Sequence, residues 1–220
     1  MRLRKVELDF GSGRVVVDTR GEGNFPYPVV SIVGNNGSGK SLLMSVVMRV
    51  FSATSMDRSD IKLFNKNVNA VVEYESNQEI NVAVVDSGVL VQKPRSNSMR
   101  YEDSRLTNGC LYYDQAVLTD GMVMGDSVVK TAITRVCEDL YTREIKNCLI
   151  MIDNFDLGMD RNNLSLYSKS IVKKAMERDN QLLVSTINAS STELLGMGLV
   201  RQMGAGADIY TSVIERIGKS

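Results

Sequence analysis

Apolar and polar residues alternate from Arg2 to Phe10, with Val6, Leu8 and Phe10 on one side and Lys5, Glu7 and Asp9 on the other. That two-residue period predicts a half-buried strand. The turn Gly11-Ser12-Gly13 leads into a second strand at Val15-Val16-Val17, so the chain opens on a predicted hairpin. Pro26 and Pro28 then hold the backbone extended. Val29, Val30, Ile32 and Val33 form a short apolar run without alternation, which suits a strand buried on both faces. Leu42, Leu43, Val46, Val47 and Val50 follow at helical spacing and make one apolar helix face. Further on, Val71–Tyr74, Ile80–Val85 and Val89–Val91 are separated by Ser76-Asn77 and Asp86-Ser87-Gly88. They predict a meander of antiparallel strands with tight turns.

Two stretches lack such order. From Phe51 to about Asn69 the chain is polar without a strong period. From Lys93 to Thr107 it is polar and carries Lys93, Arg95, Arg100 and Arg105; a solvated loop and a phosphate-contacting patch are the two readings. The C-terminal half alternates strands and helices. Leu111-Tyr112-Tyr113 is a short strand, and a helix with Val128, Val129, Ala132, Ile133, Val136 and Leu140 on its apolar face runs to about Arg143, with Asp126 and Ser127 where an N-cap belongs. Leu149–Asp153 is a strand, and Asn163–Arg178 is an amphipathic helix burying Leu164, Tyr167, Ile171 and Ala175. Gln181–Thr186 is another central strand. Ser191–Met203 reads as a helix loosened by Gly196 and Gly198, and Asp208–Arg216 as an edge strand. The alternation implies an α/β fold with a mainly parallel central sheet.

A chain of 220 residues is expected to be one domain over residues 1–220, with the antiparallel strands of about 70–93 as a peripheral lobe. Composition is ordinary for a soluble globular protein, at 43% hydrophobic and 24% charged residues. Zero formal net charge offers no bulk attraction to nucleic acid or to an anionic membrane. No apolar run approaches the ~20 residues a membrane helix needs, so no membrane insertion and a cytoplasmic location are expected. Cys110, Cys137 and Cys148 are odd in number and lack C-x-x-C spacing, which favours free thiols. The chain contains no histidine, and that excludes imidazole as a general base or metal ligand.

The chemistry concentrates between the apolar strand and the helix behind it. Gly34-Asn35-Asn36-Gly37-Ser38-Gly39-Lys40-Ser41 fits G-x-x-x-x-G-K-[ST] at every specified position. Glycines let the backbone curl so that successive N–H groups of Asn35, Asn36, Gly37, Ser38 and Gly39 face phosphate oxygens, and the new helix adds its positive end. In such a loop Lys40 is expected to reach the β- and γ-phosphates of a nucleotide, and the Ser41 hydroxyl to ligate Mg²⁺. The second anchor is Leu149-Ile150-Met151-Ile152-Asp153, four apolar residues ending in an acid. An Asp at that end of a central strand holds Mg²⁺ through water.

The loop wording G-N-N-G-S-G-K-S resembles the phosphate loop of ABC-type ATPases, including their SMC and DNA-repair branch. The opening hairpin and the peripheral antiparallel strands resemble both ABC and SMC-type heads, and the two anchors, the acids after Asp153 and the strand before Ile187 follow the ABC/SMC-head order over most of the chain. That resemblance implies a P-loop fold without a coiled coil, ATP and Mg²⁺ as cofactors, and an ATP-sandwiched homodimer or similar heterodimer. It marks Phe10, Arg14, Phe25 and Tyr27 as candidate neighbours of the base, with packing as the rival role for each. Gln115, after the Leu111–Tyr113 strand, matches the family's glutamine on Mg²⁺ and the attacking water; a surface glutamine is the alternative. Asp156 and Asp160 match the family's D-E-x-D-x-x-L-D run, which opens at Asp153 and whose final acid belongs to the loop at the dimer interface. Ser127 opens the helix where the family's signature serine contacts the γ-phosphate of the opposite subunit, and Leu118-Thr119-Asp120-Gly121 is a second, upstream placement.

Three departures separate this chain from the pattern. Asn154 stands where the family has its catalytic glutamate, and Ile187 stands in the position of its histidine. The signature is poorly kept. Asparagine hydrogen-bonds water but cannot take its proton at neutral pH. An ATPase that dimerises around ATP and turns over slowly, with Lys40, Asp153, Asn154 and Gln115 at the reacting centre, is therefore set against an ATP-binding switch without turnover that scaffolds a protein partner. A transporter energy subunit is the third reading and a small-molecule kinase the fourth.

Overall fold

The computed structural model describes residues 2–9, 13–21, 23–55, 68–76, 79–91, 109–114, 132–203 and 211–215. Its first sheet is antiparallel and five-stranded, in the order β2-β1-β4-β5-β6, with β1 at Arg2–Asp9, β2 at Arg14–Asp18, β4 at Asn69–Ser76, β5 at Glu79–Asp86 and β6 at Val89–Leu90. The expected hairpin and meander thus join edge to edge through β1 and β4. Ser87 and Gly88 turn β5 into β6 with φ of 49° and 84°, the two positive values that a two-residue hairpin of matching twist requires.

The second sheet has six strands in the order β11-β10-β3-β9-β8-β7. Here β3 is Val29–Gly34, β7 Cys110–Asp114, β8 Leu149–Asp153, β9 Gln181–Thr186, β10 Met197–Met203 and β11 Thr211–Glu215. All pairings are parallel except β10 with β11. Helix α1 (Lys40–Ser55) leaves the glycine-rich loop after β3, α2 (Ala132–Thr142) precedes β8, α3 (Arg161–Glu177) follows it, and a single turn α4 (Ala189–Thr192) follows β9. Among the described residues no helix is long and apolar enough to cross a membrane.

Strand parity divides the interior in two, because successive side chains leave a strand on opposite faces. Leu149, Met151 and Leu183 point to α1 and the inner face of the antiparallel sheet, whereas Ile150, Ile152, Leu182 and Val184 point to α2 and α3. Helix α1 therefore lies between two sheets and buries Leu43, Met44, Val46, Val47, Val50 and Phe51. The Phe51 ring meets Tyr74 of β4 edge to face, with centroids 4.8 Å apart. Buried polar side chains fasten the sheets together. Gln181 Oε1 accepts from the Leu3 N–H (2.6 Å), while its Nε2 donates to the carbonyls of Leu3 and Tyr27, both at 3.0 Å. Arg201 Nε donates to the Asp18 carbonyl at 2.6 Å.

One expected element is wrong. Ser191–Met203 is not a helix: after α4 and a short 3₁₀ turn the chain becomes strand β10, parallel to β3. Gly196 (φ 75°) ends the helical turn, and Gly198 (φ 132°) runs so close to β3 that a Cβ there would lie 2.7 Å from the Val29 carbonyl oxygen. The pattern of small and apolar residues served close strand packing, and periodicity over so short a run does not separate the two. Gly198→Ala is accordingly expected to destabilise the fold by about 1–3 kcal/mol from backbone strain alone, read as a lower urea midpoint at unchanged slope.

Candidate functional site

Strands β3, β9 and β8 run parallel and finish on one edge, since Val33 pairs with Thr186 and Ile152 with Val184. The carboxyl edge of such a sheet is where loops converge on a ligand. Three segments meet there: the loop after Gly34, the turn after Asp153, and the end of β9.

The loop from Gly34 to Lys40 curls through two glycines in the left-handed region, Gly37 (φ 80°) and Gly39 (φ 94°), a conformation that L side chains resist. Gly34 has no room for a side chain either, because a Cβ would sit 2.4 Å from the Met203 carbonyl oxygen. Lys40 is 5% exposed and folds back across the turn, its Nζ donating to the carbonyls of Gly34 (2.6 Å) and Asn35 (3.0 Å). An ammonium has three donors, so one remains for a ligand. Burial pushes the Lys40 pKa below its ordinary value, and the charges of Asp153 and Asp156 pull it the other way. Ser38 Oγ is buried with no hydrogen-bond partner among the described residues. Ser41 is exposed in the first turn of α1.

Asp153 ends β8 at 1% exposure. Its Oδ1 accepts from the Ser185 hydroxyl, and Oδ2 lies 3.4 Å from the Tyr112 hydroxyl. Asn154 takes a left-handed conformation (φ 49°), which asparagine tolerates better than other side-chain-bearing residues. Its N–H donates to Ser185 Oγ at 2.8 Å. Asp156 Oδ2 accepts from Thr186 and Ser191, both at 2.7 Å. Asp160 caps α3, accepting from the N–H groups of Asn162 and Asn163 at 3.0 Å, and these bonds hold its pKa below the usual carboxylate range. Asp160→Ala should therefore lower the thermal midpoint, and Asp160→Ser, which keeps a capping oxygen, should restore most of it.

The structure thus brings the 34–41 loop, Asp153 and Asn154 to one edge. Of the remaining candidates, Gln115 and Ser127 lie outside the described residues, as do Phe10, Asp126 and the 118–121 segment. Asp114 pairs with Asp153 in register, so β7 ends at the same edge. Arg14 donates to Glu7, Tyr27 packs against the core of α1 and the two sheets, and Phe25 is exposed. The hydroxyls of Ser185, Thr186 and Ser191 escaped sequence reading. The only available signal was the Ser-Thr pair closing a buried strand, and its meaning depends on the β8–β9 pairing.

A glycine-rich loop after β3, an acid at the end of β8, one strand between the two, and an antiparallel sheet closing over α1 together define a P-loop fold of the ABC/SMC-head type. The chain is similar over 98% of its length to the SMC head domain from Thermotoga maritima, at 17% identity and a TM-score of 0.52, with all of that chain covered. It is similar over 98% of its length to an SMC head bound to the C-winged helix domain of ScpA, at 15% identity and a TM-score of 0.56, with 98% of that chain covered. A dimeric bacterial ABC transporter cassette also matches over 98% of the chain, at 12% identity and a TM-score of 0.44. No family model and no curated protein matches the chain.

Proposed function

We propose that the chain binds ATP with Mg²⁺ at this edge, closes into a dimer around the nucleotide, and hydrolyses it slowly. The observation that carries the reading is the loop itself: a curled turn that buries a lysine carrying an uncommitted donor, within electrostatic reach of a buried aspartate two strands away. A triphosphate fits that geometry. Its oxygens supply the partner that Ser38 Oγ lacks, accept the third Lys40 hydrogen, and receive N–H groups of the turn other than that of Ser38, which donates to the Asn35 carbonyl at 3.1 Å. Among the described residues no group of three metal-ligating side chains exists. Mg²⁺ commonly takes only one or two protein ligands beside phosphate oxygens and water, and Ser41 and Asp153 are the proposed pair. When bound, Mg²⁺ neutralises charge developing on the β- and γ-phosphates. Lys40 stabilises the same charge, and Asn154 orients a water by hydrogen bonding without removing its proton.

A non-hydrolysing switch that scaffolds a protein partner is the second reading. It is favoured by Asn154 and by Ile187, half-exposed just beyond β9, and the SMC head found with the ScpA domain supplies a precedent for a protein partner. Zero net charge lends DNA no support. Light scattering on the purified chain tests the assembly step: ATP with Mg²⁺ is expected to raise the mass to that of a dimer, and Asp160→Arg to oppose it. Asp160→Ser, which retains the α3 cap, separates interface repulsion from helix loss. A single mass independent of nucleotide would count against the closing dimer.

A further inference from the structure

The end of β9 delivers two adjacent hydroxyls to the turn after β8, and they serve different carboxylates. Ser185, fully buried, is bonded three ways around Asn154. Its Oγ accepts from the Asn154 N–H at 2.8 Å, its carbonyl accepts from the Phe155 N–H at 3.0 Å, and its hydroxyl donates to Asp153 Oδ1. The hydroxyl has a single hydrogen, and an N–H already occupies the acceptor side of the oxygen, so the rotor has one satisfactory setting. Thr186 and Ser191 instead bond Asp156 Oδ2.

The geometry points to Ser185 as the positioning residue of the metal half of the site. It ties down Oδ1 of Asp153, so that only Oδ2, met by the Tyr112 hydroxyl at 3.4 Å, is without a strong partner, and it holds Asn154 in its left-handed turn. The inference rests on the proposed ATP and Mg²⁺ reading. Partners that orient a metal's carboxylate typically change metal affinity by about 10–100-fold when removed, whereas phosphate binding by the loop is built on β3 and α1 and does not pass through Ser185.

The test pairs Ser185→Ala with Ser191→Ala, since both remove a buried hydroxyl from a carboxylate but only the first touches Asp153. ATP affinity is measured calorimetrically in EDTA. Mn²⁺ affinity is then measured by electron paramagnetic resonance on protein carrying one equivalent of ATP. Ser185→Ala is expected to leave ATP affinity in EDTA within about twofold and to weaken Mn²⁺ binding by about tenfold or more, while Ser191→Ala leaves both near wild type. If Ser185→Ala does not fold, Ser185→Cys fills the same space with a poorer donor and is expected to weaken Mn²⁺ binding in the same direction. Unchanged Mn²⁺ affinity in the Ser185 variant would overturn the inference, and so would an equal loss of ATP affinity in EDTA. Absence of ATP binding by the wild type in EDTA would overturn the nucleotide reading itself and the inference with it.

Discussion

Lys40→Ala is expected to remove measurable ATP binding while leaving a folded protein. The side chain is 5% exposed, anchored by two carbonyls, and the only cation the loop buries. Truncating one partner of a buried, hydrogen-bonded charge pair costs about 2–5 kcal/mol, roughly thirty- to several-thousand-fold in affinity. Calorimetric titration with ATP measures this, and unchanged affinity in a folded variant would sink the phosphate-site reading. The free protein should not suffer in step. Burial lowers the Lys40 pKa from 10.5, so the unfolded chain holds that proton more tightly than the fold does. Stability from this group therefore rises as the pH climbs toward 10.5, and the penalty is fully present below the lowered value. The alanine variant lacks the penalty, and its urea midpoint should lose that part of the alkaline rise.

Asn154→Glu is expected to raise ATP turnover by at least roughly tenfold, because general-base assistance is worth about 10²–10⁴-fold in rate. Position 154 also carries a backbone demand. Its φ of 49° suits asparagine, and glutamate there costs about 1–2 kcal/mol of strain. The variant should thus be faster and less stable together, with a shorter-lived ATP-bound dimer, since hydrolysis removes the phosphate that holds it closed. Asn154→Gly relaxes the backbone without adding a carboxylate, so it should be stable and slow. Fast wild-type hydrolysis with Asn154→Glu neutral would contradict this account. Loss of hydrolysis in Asp156→Asn alone would contradict it too, and would make Asp156, held by Thr186 and Ser191, the base.

Local physics made much of the protein legible from its residues. Alternation in β1, β4 and β5, the largely apolar runs of β3, β8 and β9, and the helical spacing of α1 and α3 each depend on which faces an element buries. The curl of the 34–41 loop was legible for the same reason, because Gly37 and Gly39 supply the left-handed backbone that such a turn between strand and helix requires. Asp153 was legible as an acid closing a buried strand.

Tertiary structure decided whatever depends on pairing between distant segments. Nothing local to residues 197–203 distinguishes β10 from a glycine-loosened helix; the parallel edge of β3 and the Val29 carbonyl beside Gly198 do. The meander does not announce that it extends the first hairpin, since β1 and β4 lie some sixty residues apart in the chain yet pair along nearly their whole length. Asp160 matched a motif, and only the folded chain shows that it also caps α3. The order that sets β9 between β3 and β8 has the largest consequence. It lays Ser185 against Asp153 and Asn154, and Thr186 against Asp156, joining residues about thirty positions apart. Sequence determined which chemical groups this site has; the order of the parallel strands determined which of them hold one another in place, because strand pairing alone fixes distances between segments that share no local signal.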